Sequence, residues 1–231
     1  MARSRRSNAD EAVTAQPERR PSARGKRDEI IVRAIEHFGH EGYEDTKWAD
    51  VAADVGIGST ALYHYFESKL HCLFVIMTGA LQTSIEEFER ITHAHDDYLT
   101  SFIAVLRSGY ELTEHEVLRV RVLVAEQGRV AVPRKAPREE EARELARAWT
   151  RDLEFAWSAF LVRGMGQGLL PEADPRLLAR AVLGLNLSVW QWYRPRGTLG
   201  LPELADFFVR RQLAVAGLAP EAVEELVARR A

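Results

Sequence analysis

Residues 47–69 read KWADVAADVGIGSTALYHYFESK, and the run Ala52-x-x-x-Gly56-x-x-x-x-x-Leu62 inside them decides the fold. Two short helices that cross steeply need a small side chain where they touch, and Ala52 supplies it. The turn between them needs a residue at positive φ, which costs least at glycine, and Gly56 stands there. The second helix must bury an aliphatic residue against the first. Leu62 does so, with Val51, Val55 and Ile57 filling the gap. This spacing predicts a helix-turn-helix, whose second helix is the one that enters a DNA major groove.

The surrounding pattern is helical. Ile30, Ile31, Ala34, Ile35 and Phe38 form one stripe of a helix beginning near Lys26, and Gly42 stops it as a left-handed glycine. Thr46 is the expected N-cap of the next helix. A fourth helix runs over about 68–91. Downstream, Asp97–Thr113 carries Phe102, Leu106 and Tyr110 at four-residue spacing. Residues 115–127 alternate like a strand, but a lone strand has no partner here, so helix is the reading. The linker 129–137 holds two prolines. It precedes a long helix, Arg138–Met165, with Leu145, Trp149, Leu153, Trp157 and Phe160 facing inward. Asp174-Pro175 opens another, ending before Pro195. Leu201-Pro202 opens the next, ended by Gly217, and Pro220 starts a last short one. The fold class is all-α, with nine or ten helices.

Composition narrows the function classes. The chain has 231 residues, 46% hydrophobic and 28% charged, with a net charge of −3. No apolar stretch nears the ~18 residues of a membrane span, and the basic start leads into none, so neither a membrane role nor a signal peptide is expected. The single cysteine, Cys72, fits a reducing cytoplasm. Charge is unevenly spread. Residues 1–27 hold eight bases against three acids, leaving the remainder eight negative. A basic arm on an acidic body suggests local contact with a polyanion. Residues 28–66 hold eight acids but only Arg33 and Lys47 as bases. Phosphate affinity comes from cations, so Arg24, Lys26 and Arg27 are expected to contribute.

Residues 27–73 resemble the N-terminal domain of the TetR family. The resemblance rests on Phe38, Gly42-Tyr43, Val51-Ala52, Gly56-Ile57, the run Thr60-Ala61-Leu62-Tyr63-His64-Tyr65-Phe66-Glu67-Ser68-Lys69, and Leu73. The family pattern there is Leu-Tyr-x-His/Tyr-Phe-x-Ser/Asn-Lys. Leu70 departs from it, since the family often has an acid at that place. The resemblance implies a helix-turn-helix module at 25–70, behind a disordered basic arm at 1–24 and ahead of an effector-binding and dimerisation domain at 71–231. It implies a recognition helix over Gly58–Phe66. Ser59 and Thr60 then read bases, Gly58 and Ala61 permit close approach, and Tyr63 and His64 project from the same side. Tyr63, Tyr65 and Lys69 resemble the family's phosphate clamps, with Lys47 a further candidate. Leu62 and Phe66 are core, and Tyr65 divides between core and clamp.

The C-terminal part resembles the family more loosely, most of all regulators of fatty-acid or steroid catabolism. Expected partners are double-stranded operator DNA, a hydrophobic small-molecule effector of acyl-CoA-like class, and a second copy of the chain. The homodimer forms through the last two long helices. Repression of a palindromic operator, relieved by the effector, is the family's usual action. Phe102, Tyr110, Trp149, Trp157, Phe160, Asn186 and Trp190 are candidate pocket walls. Plain packing accounts for aromatics at helical spacing equally well. Trp192 is assigned to the interface, and Trp190 to core or pocket.

Enzyme readings find little support. No glycine-rich phosphate loop or nucleophile elbow is present, so neither catalytic residues nor a cofactor are expected. His93-x-His95-Asp96-Asp97 has weak metal-ligand spacing in an inter-helix loop, and no metal is assigned. His37 and His40 read as surface residues, and Cys72 as a small buried hydrophobe. An architectural DNA-binding role without a ligand remains the alternative.

Overall fold

The structure is a computed structural model that describes residues 23–195 and 197–228. Within them lie ten α-helices, one 3₁₀ turn and no strand. The helices are α1 (Ala23–His40), α2 (Trp48–Asp54), α3 (Ser59–Tyr65), α4 (Lys69–Ala94), α5 (Tyr98–Ser108), α6 (Glu114–Glu126), α7 (Pro137–Gly166), α8 (Pro175–Trp192), α9 (Leu201–Val215) and α10 (Pro220–Ala228). The 3₁₀ turn, Gln127–Ala131, follows α6. The basic arm expected at 1–24 lies almost wholly outside the described residues.

Local chemistry explains most boundaries. Gly42 (φ 95°) ends α1 and Gly217 (φ 93°) follows α9, a conformation that an L side chain resists. Ser68 caps α4 by accepting from His71 N–H, and Asp97 caps α5 by accepting from Thr100 N–H. Thr113 and Glu116 form a reciprocal capping box at the start of α6. That box, and burial of Val117, Leu118, Val122 and Val124, explain why the strand-like alternation there folds as helix. Asp174 caps α8 through Arg176 and Leu177 N–H, with Pro175 at the first turn.

Two expectations are corrected. Lys47, not Thr46, takes the N-cap position of α2. Thr46 is buried, and its hydroxyl donates to Gly42 O at 2.8 Å, bracing the preceding loop. Leu145 is 48% exposed rather than inward. The first half of α7 instead buries Ala142, Arg143 and Ala146.

Apolar packing forms two clusters. One joins Ile30, Ala34, Phe38, Val51, Ala52, Leu62, Phe66 and the first turns of α4 with Leu118 and Val122 of α6 and Ala142 and Ala146 of α7. The other centres on α5, α7, α8 and α9, reaching the end of α4 and α10. The first cluster therefore crosses the 70/71 division expected from sequence. α4 threads both clusters and packs chiefly along α7.

Candidate functional site

The helix-turn-helix is built as its spacing requires. Gly56 sits at φ 71°, and Gly56 N–H and Ile57 N–H return to Ala53 O and Ala52 O at 3.0 and 2.9 Å. That closed turn sets the crossing of α2 and α3. Ala52 and Leu62 are buried in the same cluster, at 1% and 0% exposure. Trp48 packs edge-on to Phe66, ring centroids 6.3 Å apart, and the Arg27 guanidinium lies 5.0 Å from the Phe66 ring centre.

With Leu62 and Phe66 buried, the opposite side of α3 faces solvent. Gly58, Ser59, Thr60, Tyr63 and His64 are all exposed, and so is Lys47 at the mouth of α2. Residues 59, 60, 63 and 64 share one helical face, so the structure brings these candidates together. Tyr65 is half-buried. Lys69 is placed differently. Its ammonium donates to Tyr43 O (2.7 Å), Thr46 O (2.9 Å) and Glu44 O (3.4 Å), and sits 4.3 Å from the Tyr43 ring centre. It therefore ties the α1–α2 loop to the start of α4. Arg129 covers the same ring at 4.6 Å and pairs with Glu44 and Glu126. Burial pushes the Tyr43 hydroxyl up to about 12. Lys26, expected to face phosphate, donates to Glu29 (2.7 Å) and to Val55 O (3.2 Å). Of Arg24, Lys26 and Arg27, only Arg24 is left exposed.

Sequence reasoning missed one contact entirely. Glu67 Oε2 accepts from Arg138 N–H and Glu139 N–H, each at 3.1 Å. Arg138 donates to Tyr65 O at 3.1 Å, and Ser68 Oγ donates to the Glu139 carboxylate. The N-cap residue of α7, Ala136, has no side-chain acceptor, so the acceptor comes from the end of the helix-turn-helix. A span of 71 residues separates the partners, which no local sequence signal reveals.

Behind this module lies a cavity of about 630 Å³, within the usual range for small-molecule sites, ~300–1,000 Å³. Helices α4 to α8 and the 3₁₀ turn wall it, with Gln212 of α9. Among the expected walls, Trp157, Asn186 and Trp190 line it. Phe102, Tyr110 and Phe160 do not. They pack behind the wall at 0–5% exposure, Phe102 6.4 Å from Trp157 and Phe160 stacked on Tyr98 at 4.6 Å. Trp149 is half-buried on α7 and off the wall, where Thr150 and Leu153 stand instead. Met77, Leu81 and Phe88 of α4 and Val120 and Leu123 of α6 were missed, because the search followed aromatic residues. The wall also carries more charge than expected: Glu87, Glu111, Glu116, Arg119, Glu154 and Arg180.

Among the described residues no three metal-ligating side chains converge, and no helix is long and apolar enough to cross a membrane. His93 Nδ1 contacts Glu89 O at 2.7 Å, and Asp97 serves as a cap. Cys72 is buried, and burial raises its thiol far above the ordinary range. His37 is half-buried rather than fully at the surface, held between Glu41 (2.9 Å) and Asp54 (2.8 Å).

Comparison with known proteins matches this architecture. Residues 30–76 match the model for bacterial regulatory proteins of the TetR family, and residues 119–218 match that for the tetracyclin repressor-like C-terminal domain. The HTH-type transcriptional repressor KstR2 of Mycobacterium tuberculosis is 24% identical over 200 residues, spanning 86% of this chain and 95% of KstR2. The TetR-family regulator PfmR of Thermus thermophilus superposes with a TM-score of 0.68 at 27% identity, over 82% of this chain and 98% of PfmR. AibR, solved with isovaleryl coenzyme A and operator DNA, also superposes at 0.68, with 22% identity over 80% of this chain and 97% of AibR. Both family models fall on the elements described above and together span well over half of the sequence, so the chain belongs to the TetR family of bacterial regulatory proteins.

Proposed function

We propose that this chain is a homodimeric transcriptional repressor that holds a palindromic operator and releases it when a hydrophobic, acyl-CoA-like effector fills the cavity. The observation that carries this reading is the solvent-facing side of α3, where Ser59, Thr60, Tyr63 and His64 stand clear of the core on a fixed turn. Ser59 and Thr60 read base edges. Tyr63, Tyr65 and Lys47 contact phosphates, and Gly58 lets the backbone approach. Lys69 acts from behind by fixing the α1–α2 loop.

The division of labour is an arm at 1–24, a DNA-reading module at 25–70 and an effector and dimer domain at 71–231. One recognition helix covers a few base pairs, so two half-sites need two copies. α8 and α9 supply a face for this. Leu177, Ala181, Gly184 and Trp192 on α8, with Phe207 and Val215 on α9, are exposed, and pairing them with their copies makes a four-helix bundle. AibR in complex with isovaleryl coenzyme A supports a thioester as the effector, with the acyl chain as the part that enters. Such a protein works beside the chromosome, in the cytoplasm, and catalyses nothing.

Footprinting on the promoters flanking its own gene tests the proposal. One short inverted repeat is protected, Thr60→Ala weakens that protection, and the protein runs as a dimer. Indiscriminate protection, or a stable monomer that ignores every fragment, refutes it.

A further inference from the structure

Gly39 of α1 meets Leu118 of α6 so closely that a Cβ there would stand 2.8 Å from Leu118 Cδ2. Beside this contact lies a second hollow, of about 380 Å³, at the small end of the range for small-molecule sites. It sits where the reading head meets the core. Phe38 and Tyr43 wall it from α1 and the loop that follows, Arg121, Val122 and Ala125 from α6, and Trp190 from the end of α8. Of the residues lining this hollow and the large cavity, Trp190 alone is shared.

Arg121 is the group here that nothing else accounts for. It is half-buried, and it has no hydrogen bond or ion pair among the described residues. Two acids border the hollow, but Glu41 is held by His37 at 2.9 Å and Glu126 by Arg129. The charged neighbour that acts on Arg121 is another cation, Arg194, just past α8. Burial, and then that like charge, pull the Arg121 pKa below its ordinary value, as befits a guanidinium that lacks a counterion. The C-terminal ends of α1 and α8 border the hollow too. Their partial negative charge offsets part of the cost, but none of their carbonyls accepts from Arg121.

A guanidinium presents a planar fork that a carboxylate fills with two parallel hydrogen bonds. Around it the walls are apolar, with Phe38, Val122 and Trp190 at most 4% exposed. Aromatic walls favour a second ring in edge-on or offset contact. A neutral arene would leave Arg121 unpaired, and a small aliphatic acid would leave the rings unused.

We propose that this hollow is a binding site for a small aromatic carboxylate, its acid group paired with Arg121 and its ring set among Phe38, Val122 and Trp190. The site goes beyond the effector cavity and does not depend on how that cavity is read. Because its walls come from both α1 and α6, an occupant bridges the reading head and the core.

The test is isothermal titration of the full-length protein with 2-naphthoate and with its neutral amide, 2-naphthamide. Naphthoate binds once per protomer, ten-fold or more tighter than the amide. Arg121→Gln lowers naphthoate affinity at least ten-fold, to the level of the amide. Ala125→Phe, at an exposed position that lines the hollow, fills the space and removes binding of both. Each variant is checked for a wild-type melting transition. Arg119→Gln and Arg180→Gln, on the wall of the large cavity, leave naphthoate affinity within about two-fold. Acid and amide bound alike, or neither bound, overturn the proposal. So does a preference for the acid that survives Arg121→Gln, or one lost in Arg119→Gln or Arg180→Gln, which places the acid in the large cavity instead.

Discussion

Replacing Glu67 by alanine removes the cap of a helix that begins far along the chain. The first amides of any helix lack intrahelical acceptors, and in α7 two of them, Arg138 and Glu139 N–H, are served by Glu67 Oε2 at 3.1 Å each. Loss of a side-chain cap costs ~0.5–2 kcal/mol. The carboxylate charge at a helix N-terminus contributes ~0.3–1 kcal/mol more. Glu67 and Glu139 are half-buried while Arg138 is exposed, so water replaces part of the lost interaction, and the lower half of the combined range applies. The expected cost is about 1–2 kcal/mol, or a fall of about 2–8 °C in Tm for a chain of this size.

Thermal unfolding followed by circular dichroism, at one fixed protomer concentration because dimerisation adds to stability, measures this. Glu67→Gln keeps an oxygen acceptor and loses only the charge, so it falls between wild type and Glu67→Ala. Glu67→Ala melting with the wild type refutes the assignment. So does Glu67→Gln melting below Glu67→Ala, because the order then contradicts an acceptor role.

Three further outcomes are expected. Gly164→Ala places a Cβ 2.3 Å from Tyr98 Cζ and 2.4 Å from its hydroxyl; the ring is stacked on Phe160 and has little room to retreat. The overpacking costs about 1–3 kcal/mol, read as a lowered urea midpoint. Lys47→Ala reduces the slope of log affinity for operator against log salt by about one, while Lys69→Ala lowers thermal stability and leaves that slope alone; equal slope changes in both would contradict the structural role given to Lys69. His37 contributes a pH-dependent margin. Burial pulls its pKa down, but hydrogen bonds to Asp54 and Glu41 outweigh that and hold it above the ordinary value of 6.5. The imidazolium donates from both nitrogens, whereas the neutral ring has one donor for two carboxylates. The stabilisation is complete below pH 6.5 and fades as pH rises through the folded-state pKa. Urea midpoints of wild type and His37→Gln therefore differ more near pH ~5.5 than near pH ~8.5, and a gap that widens with pH overturns the sign.

What the sequence made legible was local. Gly42, Gly56 and Gly217 announce left-handed turns, Asp174-Pro175 announces a helix start, and the Ala52–Gly56–Leu62 spacing specifies how two helices cross. Each of these depends on a few consecutive residues. The exposed face of α3 came from the family resemblance, and the burial of Leu62 and Phe66 accounts for it by turning residues 59, 60, 63 and 64 outward. The cavity was less legible. A tryptophan at helical spacing lines a void or packs behind it according to where neighbouring helices cross, and that separates Trp157 from Trp149 earlier on the same helix. Lys69 and Glu67 sit one residue either side of Ser68, and their partners lie 23 to 72 residues away. Motif position places such side chains near DNA, whereas the carbonyls and amides that hold them appear only in three dimensions.

Those long-range contacts join the cavity to the reading head at two separate points. Gln127, Gly128 and Val130 of the 3₁₀ turn line the cavity. Arg129 among them lies over the Tyr43 ring and pairs with Glu44, ahead of α2. Thr150, Leu153 and Trp157 of α7 line it from another side. The N-terminus of that helix grips Glu67 and Tyr65 O, just past α3. An occupant that displaces one wall is expected to strain one of these links while the other stays held, and so to shift α3. The Glu67 link is worth about 1–2 kcal/mol, within the ~1–3 kcal/mol of allosteric couplings, whereas the Arg129–Glu44 pair, 72% exposed at Glu44, contributes ~0.2–1 kcal/mol. Straining the Glu67 link is therefore the larger of the two ways to change DNA affinity. One link meets the chain ahead of α2 and the other just past α3, so a push on either wall reaches the helix-turn-helix at a different end.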